Sequence, residues 1–152
     1  GRLRQDSVKN GLEAIEHPCD IVVIHDGARP FITPSFIEKG IFLMEMFDAI
    51  IPAIPVKDTI KVVSKEGFVI KTLERDSLWH VQTPQTFKFD LISKAYKDGI
   101  SKKLCGYDDA AFLEFTGKKV KVIEGSSYNI KITTPEDLVT ARGILAQLKG
   151  DS

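Results

Sequence analysis

Cysteine is scarce. Cys19 and Cys105 are the only two in 152 residues, they lie far apart, and no C-x-x-C pair occurs. A disulfide framework and a thiolate zinc site are therefore not indicated, and both residues read as free thiols of a reducing compartment. Long apolar runs are missing too. Nothing approaches the ~18 residues that span a bilayer, and no charged-then-apolar leader opens the chain. The expectation is a soluble, cytoplasmic protein with no membrane partner. Net charge is also absent, with 21 basic against 21 acidic residues. That argues against a broad phosphate-tracking surface, so nucleic acid is not an expected partner, although a local anion pocket stays open. No G-x-G-x-x-G or Walker loop is present. His17, His25 and His80 lack the Ser-plus-acid neighbours of a hydrolytic triad.

What is present is an ordinary globular composition, 43% hydrophobic and 28% charged, which excludes disorder. Its length fits one domain, and a chain of this size buries about 70% of its unfolded surface. The periodicity predicts alternating helices and strands. Residues 6–16 put Val8, Leu12 and Ile15 on one helical face, with Asp6 or Ser7 as cap and Pro18 beyond the end. The apolar run 20–24 suits a strand buried on both faces. Thr33-Pro34 reads as a cap followed by proline in the first helical position. Residues 49–56, AIIPAIPV, form a second buried strand that should leave its sheet near Pro55, because proline cannot donate to a ladder. Residues 59–64 and 68–73 flank Lys65-Glu66-Gly67 and read as a hairpin. Helices follow at 90–97, with Asp90 as cap, and at 108–117, with acids first and Gly117 past the end. A strand at 119–125 precedes a helix over 133–150, capped by Thr134, with a stripe of Leu138, Ala141, Ile144, Leu145 and Leu148. The pattern predicts an α/β domain with a mainly parallel sheet flanked by helices.

Ligands of open α/β sheets bind beyond the carboxyl ends of the strands. Asp26 and Arg29 follow the 20–24 run in VVIHDGARPF. Asp26 is a hard oxygen ligand suited to Mg²⁺, and Arg29 can grip a phosphate with two donors. The plainer alternative is a turn in which Asp26 caps and Arg29 bridges to it. Arg75, Trp79 and Thr83 punctuate a second dense stretch, residues 73–87; the plainer alternative there has Trp79 in the core and Thr83 as a cap. Lys131, before the capped last helix, suits an anion, or else is a surface lysine. Asp58-Thr59 ends the proline-rich strand. One carboxylate, three cations and hydroxyls between them suit nucleotidyl or phosphoryl transfer, where charge neutralisation carries much of the catalysis.

RQDSVKNGL, VVIHDGARPFIT, IPAIPVKDTIK, LERDSLWHVQTPQTF and NIKITTPEDL, in this order, resemble the 2-C-methyl-D-erythritol 4-phosphate cytidylyltransferase family over nearly the whole chain. The resemblance implies a Rossmann-like nucleotidyltransferase fold whose hairpin, within residues 56–78, is an arm hooking a second subunit through 59–73 to make a homodimer. It implies CTP and methylerythritol phosphate as substrates, Mg²⁺ as cofactor, and in-line attack of the 4-phosphate on the α-phosphorus of CTP without a covalent intermediate. It implies residue roles as well. Gly1 and Ser7 would read the cytosine, and Gly27 would lie by the ribose. Asp26 would be the catalytic acid and metal ligand. Lys131 would be catalytic at the triphosphate. Arg29, Thr59, Thr83 and Arg75 would form the methylerythritol phosphate pocket, Arg75 reaching in from the partner arm.

Two departures accompany the likeness. Gly27 stands where the family usually has Ala, and Tyr107 stands before Asp108-Asp109-Ala110 where the family has a pocket Thr, so Tyr107 receives no role. The chain starts Gly1-Arg2-Leu3-Arg4 without methionine, and the family's glycine-rich basic loop has no counterpart in it. The expectation is the C-terminal portion of a single cytidylyltransferase domain, residues 1–152, inactive without that loop. Two rivals are a ribitol-5-phosphate cytidylyltransferase, which shares an HD-x-x-RP and QTPQ layout, and a non-catalytic nucleotide-binding or dimerisation module.

Overall fold

The structure is a computed structural model that describes residues 3–150. Its centre is a five-stranded sheet built from β1 (Ile21–Ile24), β2 (Ala49–Pro55), β5 (Trp79–Val81), β6 (Gln85–Lys88) and β7 (Lys121–Glu124). The strands β3 (Lys61–Val63) and β4 (Val69–Thr72) pair only with each other, as a separate hairpin. Helices α1 (Arg4–Glu13), α2 (Pro34–Leu43), α3 (Phe89–Ser101), α4 (Ala110–Glu114) and α5 (Pro135–Gly150) complete the chain.

The α/β class is as expected, and β1, β2 and β7 run in one direction. The expected mainly parallel sheet holds in that sense only. The bent ribbon β5–β6 is inserted between β1 and β2 and runs antiparallel to both neighbours, so β2–β7 is the one parallel pairing among the described residues. Neither β5 nor β6 was expected. Thr83-Pro84 between them looks like a turn, but its peptide bond is cis and the chain carries on along the same side of β2.

Helix α3 starts directly after β6, and its apolar residues Ile92, Ala95 and Tyr96 are buried. With Leu12 of α1, Phe87 of β6 and Phe112 and Leu113 of α4 they form one core. Each large side chain so buried stabilises the fold by about 1.5–3 kcal/mol. The rings of Tyr96 and Phe112 stack at 4.2 Å between centroids. Gly99 makes this approach close, since a Cβ there would lie 2.5 Å from Phe112 Cδ1.

Several end signals differ from expectation. Thr33 caps α2, accepting from Phe36 N, as its sequence predicts. Helix α1 instead begins at Arg4 and ends at Glu13, so Ile15 lies outside it, and Asp6 reaches back to Leu3 N rather than preceding the helix. Asp90 sits inside the first turn of α3, where it favours the helix dipole without capping it. On α5, Thr134 and Asp137 cap each other's backbone N–H groups reciprocally. Only Ala141 and Ile144 of its apolar stripe are buried.

The hairpin is an arm. Val56 N donates to Leu78 O and closes its base. Beyond that point every residue of β4 is exposed, including Val69 and Ile70, and so is Phe68 in the turn. Among the described residues, no helix is long and apolar enough to cross a membrane.

Candidate active site

The chain leaves β1 through His25 and Asp26 and turns at once, with Arg29 N donating to Asp26 O at 3.0 Å. Three cations converge on the Asp26 carboxylate. Arg4 Nε is 2.9 Å from Oδ1, Lys131 Nζ is 3.1 Å from Oδ2, and Arg29 Nε is 3.7 Å from Oδ2. Burial pushes the Asp26 carboxyl up, and that is the largest single effect. Hydrogen bonds and charge from Arg4 and Lys131 together outweigh it and hold the group below the usual carboxylate range. Burial draws the Arg29 guanidinium down, offset in part by Asp26.

Backbone and side-chain bonds fix this turn. Asp26 N donates to Thr83 Oγ1 at 2.9 Å, and Thr83 Oγ1 lies 3.0 Å from His25 Nδ1. His25 Nε2 is 3.0 Å from Arg29 O. A carbonyl can only accept, so His25 Nε2 donates to Arg29 O. His25 and Thr83 thus bond within the turn, and the Thr83 hydroxyl oxygen accepts from Asp26 N.

A second clamp holds the loop before Lys131. Gln82 is buried; its Nε2 donates to Ser126 O at 2.8 Å and its Oε1 accepts from Ser126 N at 3.2 Å. Asn129 Nδ2 donates to Thr83 O, and Arg29 Nη1 donates to Asn129 O at 2.6 Å. Ile132 N donates to Ala28 O, which ties the Lys131 segment to the Asp26 turn. A Cβ at Gly125 would stand 2.4 Å from Gln82 Oε1, so a side chain there would displace the Gln82 amide from this clamp.

The turn opens on a cavity of about 710 Å³, with Arg4, Asp26, Arg29, Gln82, Thr83 and Lys131 among its walls and the exposed Trp79, Tyr107 and Phe115 also lining it. Trp79 is exposed here, not core. Of the expected site residues, the fold brings together Asp26, Arg29, Thr83 and Lys131. Gly27 lies in the Asp26 turn, exposed, with nothing within 4 Å of a would-be Cβ, so an alanine fits there. Ser7 is an exposed residue of α1, and Gly1 lies outside the described residues. Thr59 and Arg75 are exposed on the arm and do not line the cavity of their own chain; Arg75 Nη1 donates to Lys57 O.

Sequence reasoning missed Arg4, Gln82, Tyr96, Asp109 and Asn129. Arg4 stood in the RQDSV stretch unassigned. Asp108-Asp109 read as helix-start acids, and Asp108 does cap, accepting from Ala111 N. Asp109 instead turns inward, fully buried, and binds Arg4. Among the described residues no group of three His, Cys, Asp or Glu side chains can hold a metal ion. Asp26 fits Mg²⁺ as a single hard oxygen donor with phosphates completing the shell, the way this ion is commonly held.

The end of a strand in a mixed α/β sheet presents one carboxylate ringed by cations over an open cavity, an arrangement of the kind that can hold phosphate groups beside a metal ion. The family model described as 2-C-methyl-D-erythritol 4-phosphate cytidylyltransferase matches residues 1–147, and the chain belongs to that family. A relative of this name from Alkaliphilus oremlandii is 54% identical over 145 residues, covering 95% of this chain and 61% of its own length. The 4-diphosphocytidyl-2C-methyl-D-erythritol synthase of Anaerococcus prevotii superposes with a TM-score of 0.86 at 36% identity, over 95% of this chain and 64% of its own. The corresponding cytidylyltransferase of Francisella tularensis gives 0.87 at 35% identity, over 95% and 69%. The chain spans 61–64% of the length of the curated relatives it matches.

Proposed function

We propose that the protein carrying this chain transfers CMP from CTP to 2-C-methyl-D-erythritol 4-phosphate, giving 4-diphosphocytidyl-2-C-methyl-D-erythritol and pyrophosphate. The observation that carries the reading is the Asp26 carboxylate under Arg4, Lys131 and Arg29 at the cavity floor. A 4-phosphate oxygen attacks the α-phosphorus, a new P–O bond forms, and the bond to the β-phosphate oxygen breaks. Mg²⁺, held by Asp26 and the triphosphate, would supply charge neutralisation on the phosphate oxygens.

Lys131 is half exposed and holds Asp26 by a single contact, so it can swing to a triphosphate and stabilise charge as the bond breaks. Arg29 Nε is buried without a hydrogen-bond partner among the described residues, which leaves a donor for a substrate phosphate. Thr83 shapes the methylerythritol phosphate pocket through the turn it holds, and Gly27 leaves room for the ribose. Gly1 and Ser7 read the cytosine. Thr59 and Arg75 act from the arm of a second subunit, in a homodimer joined through residues 59–73. The exposed Phe68, Val69 and Ile70 support that contact, because apolar residues on an otherwise unpacked hairpin gain by being covered.

In the full-length protein, Asp26→Asn should lower pyrophosphate release by about 100-fold or more while the circular-dichroism melt stays cooperative. Retained turnover overturns the assignment of Asp26, and faster turnover with ribitol 5-phosphate than with methylerythritol phosphate overturns the substrate.

A further inference from the structure

Three cations hold Asp26, but they are not equivalent. Lys131 makes one contact and is half exposed. Arg29 stands off at 3.7 Å. Its Nη1 is held by Asn129 O, a neutral acceptor. Among the described residues, Arg4 alone of the three is anchored by a second carboxylate. Its Nη1 and Nη2 donate to the two oxygens of Asp109 at 2.8 and 2.7 Å, while its Nε donates to Asp26. Asp109 is fully buried, and Tyr96 OH donates to its Oδ1 from within the core. The Tyr96 ring is itself pinned by its stack on Phe112.

A planar guanidinium bound on two edges by two carboxylates has no freedom to rotate. If Arg4 moved toward an incoming phosphate, it would leave a buried carboxylate short of its countercharge, which is strongly unfavourable. Among the described residues, Lys131 and Arg29 carry no such tether to a second acid.

We propose that Arg4 is a positioning residue for Asp26, and that Asp109 and Tyr96 form the buried anchor which keeps it fixed while Lys131 and Arg29 turn to substrate. Arg4 does not deliver charge to the phosphates in this arrangement. It sets the direction of the carboxylate that would face the metal and the reacting groups. Partners of this outer kind typically matter by about 10–100-fold when removed.

The kinetic part of the test rests on the transferase reading; the spectroscopic part does not. Full-length wild type, Arg4→Lys, Arg4→Met, Asp109→Asn and Tyr96→Phe are compared at a temperature where each is folded. Arg4→Lys keeps the charge and loses the fork. We expect kcat to fall about 10–100-fold in both Arg4 variants and in Asp109→Asn. The KM values for CTP and methylerythritol phosphate should change little. Tyr96→Phe, which touches neither Asp26 nor the catalytic cavity, should move kcat the same way by less.

Independently, hydrogen exchange at the Arg4 Nε–H, followed by ¹⁵N NMR without substrates, should be slow in wild type. It should quicken in Asp109→Asn and, less, in Tyr96→Phe. Recovery of wild-type kcat by Arg4→Lys would overturn the proposal, because charge alone would then suffice. So would a KM increase with kcat intact, which marks a substrate-binding arginine. Unchanged Arg4 Nε–H protection in both anchor variants would overturn it as well. If wild type fails to turn over, the transferase reading fails, and the exchange result still decides the anchor.

Discussion

Removing the Gln82 side chain should loosen the loop that delivers Lys131. Gln82→Ala deletes two good hydrogen bonds, the 2.8 Å bond to Ser126 O and the 3.2 Å bond from Ser126 N, together with two longer contacts to Asn129. Each well-formed bond contributes about 1 kcal/mol net, and each polar group left dry costs more. Ser126 is only half buried, so water can reach part of the gap and holds the total near the low end. The expected loss is about 2–3 kcal/mol. For a chain of this length that lowers Tm by about 4–12 °C. Gln82→Glu separates the two bonds. It keeps the acceptor for Ser126 N but sets a carboxylate oxygen against Ser126 O, so it should destabilise at least as much near neutral pH. Thermal melts followed by circular dichroism read both variants. A Tm within 2 °C of wild type for both, an interval below the range expected for this loss, would refute the clamp.

Three more outcomes follow from the geometry. Gly99→Ala and Gly143→Ala both gain helix propensity of roughly 1 kcal/mol. The first Cβ meets Phe112 at 2.5 Å and the second meets nothing within 4 Å, so melts should show Gly99→Ala destabilised and Gly143→Ala stabilised. The Asp137 carboxyl is held below its ordinary 3.8 by bonds from Thr133 and Thr134 N–H, so its contribution is complete above that pH and disappears as pH falls through the lowered value. The Tm difference between wild type and Asp137→Ala should therefore shrink on acidification below 3.8 and stay constant above it. Phe68→Ser with Ile70→Lys should shift sedimentation toward monomer and leave the melt of the dissociated chain unchanged; an unaltered sedimentation coefficient would remove the arm from the contact.

The fold was legible where a residue type forces a backbone choice. Thr33-Pro34 and Thr134-Pro135 start helices because each pair supplies a cap and a pre-set φ, and AIIPAIPV ends its sheet pairing at Pro55. Strands β5 and β6 were not legible. Gln85 and Thr86 are buried in a strand, yet local hydrophobicity gives no sign of it. Their burial is made tolerable by remote partners, Asp108 and Ala110 N for the Gln85 amide. The site followed the same division. Asp26 and Arg29 lie next to an apolar run, and Lys131 next to a helix cap, so adjacency exposed them. Arg4 and Asp109 are 105 positions apart, and only the packing of α1 and of α4 against α3 brings them together. No local pattern records that meeting.

The arm has a consequence for how this protein can change over time. β3 and β4 bond to each other and leave the central sheet at Pro55, so they answer to almost none of the packing constraints of the core. Substitutions at the exposed Phe68, Val69 or Ile70 are largely unscreened by folding of the chain, whereas those at the buried Phe87 or Tyr96 are screened by folding itself. Selection can therefore change the apolar tip of the arm without disturbing the core that holds Asp26 in place.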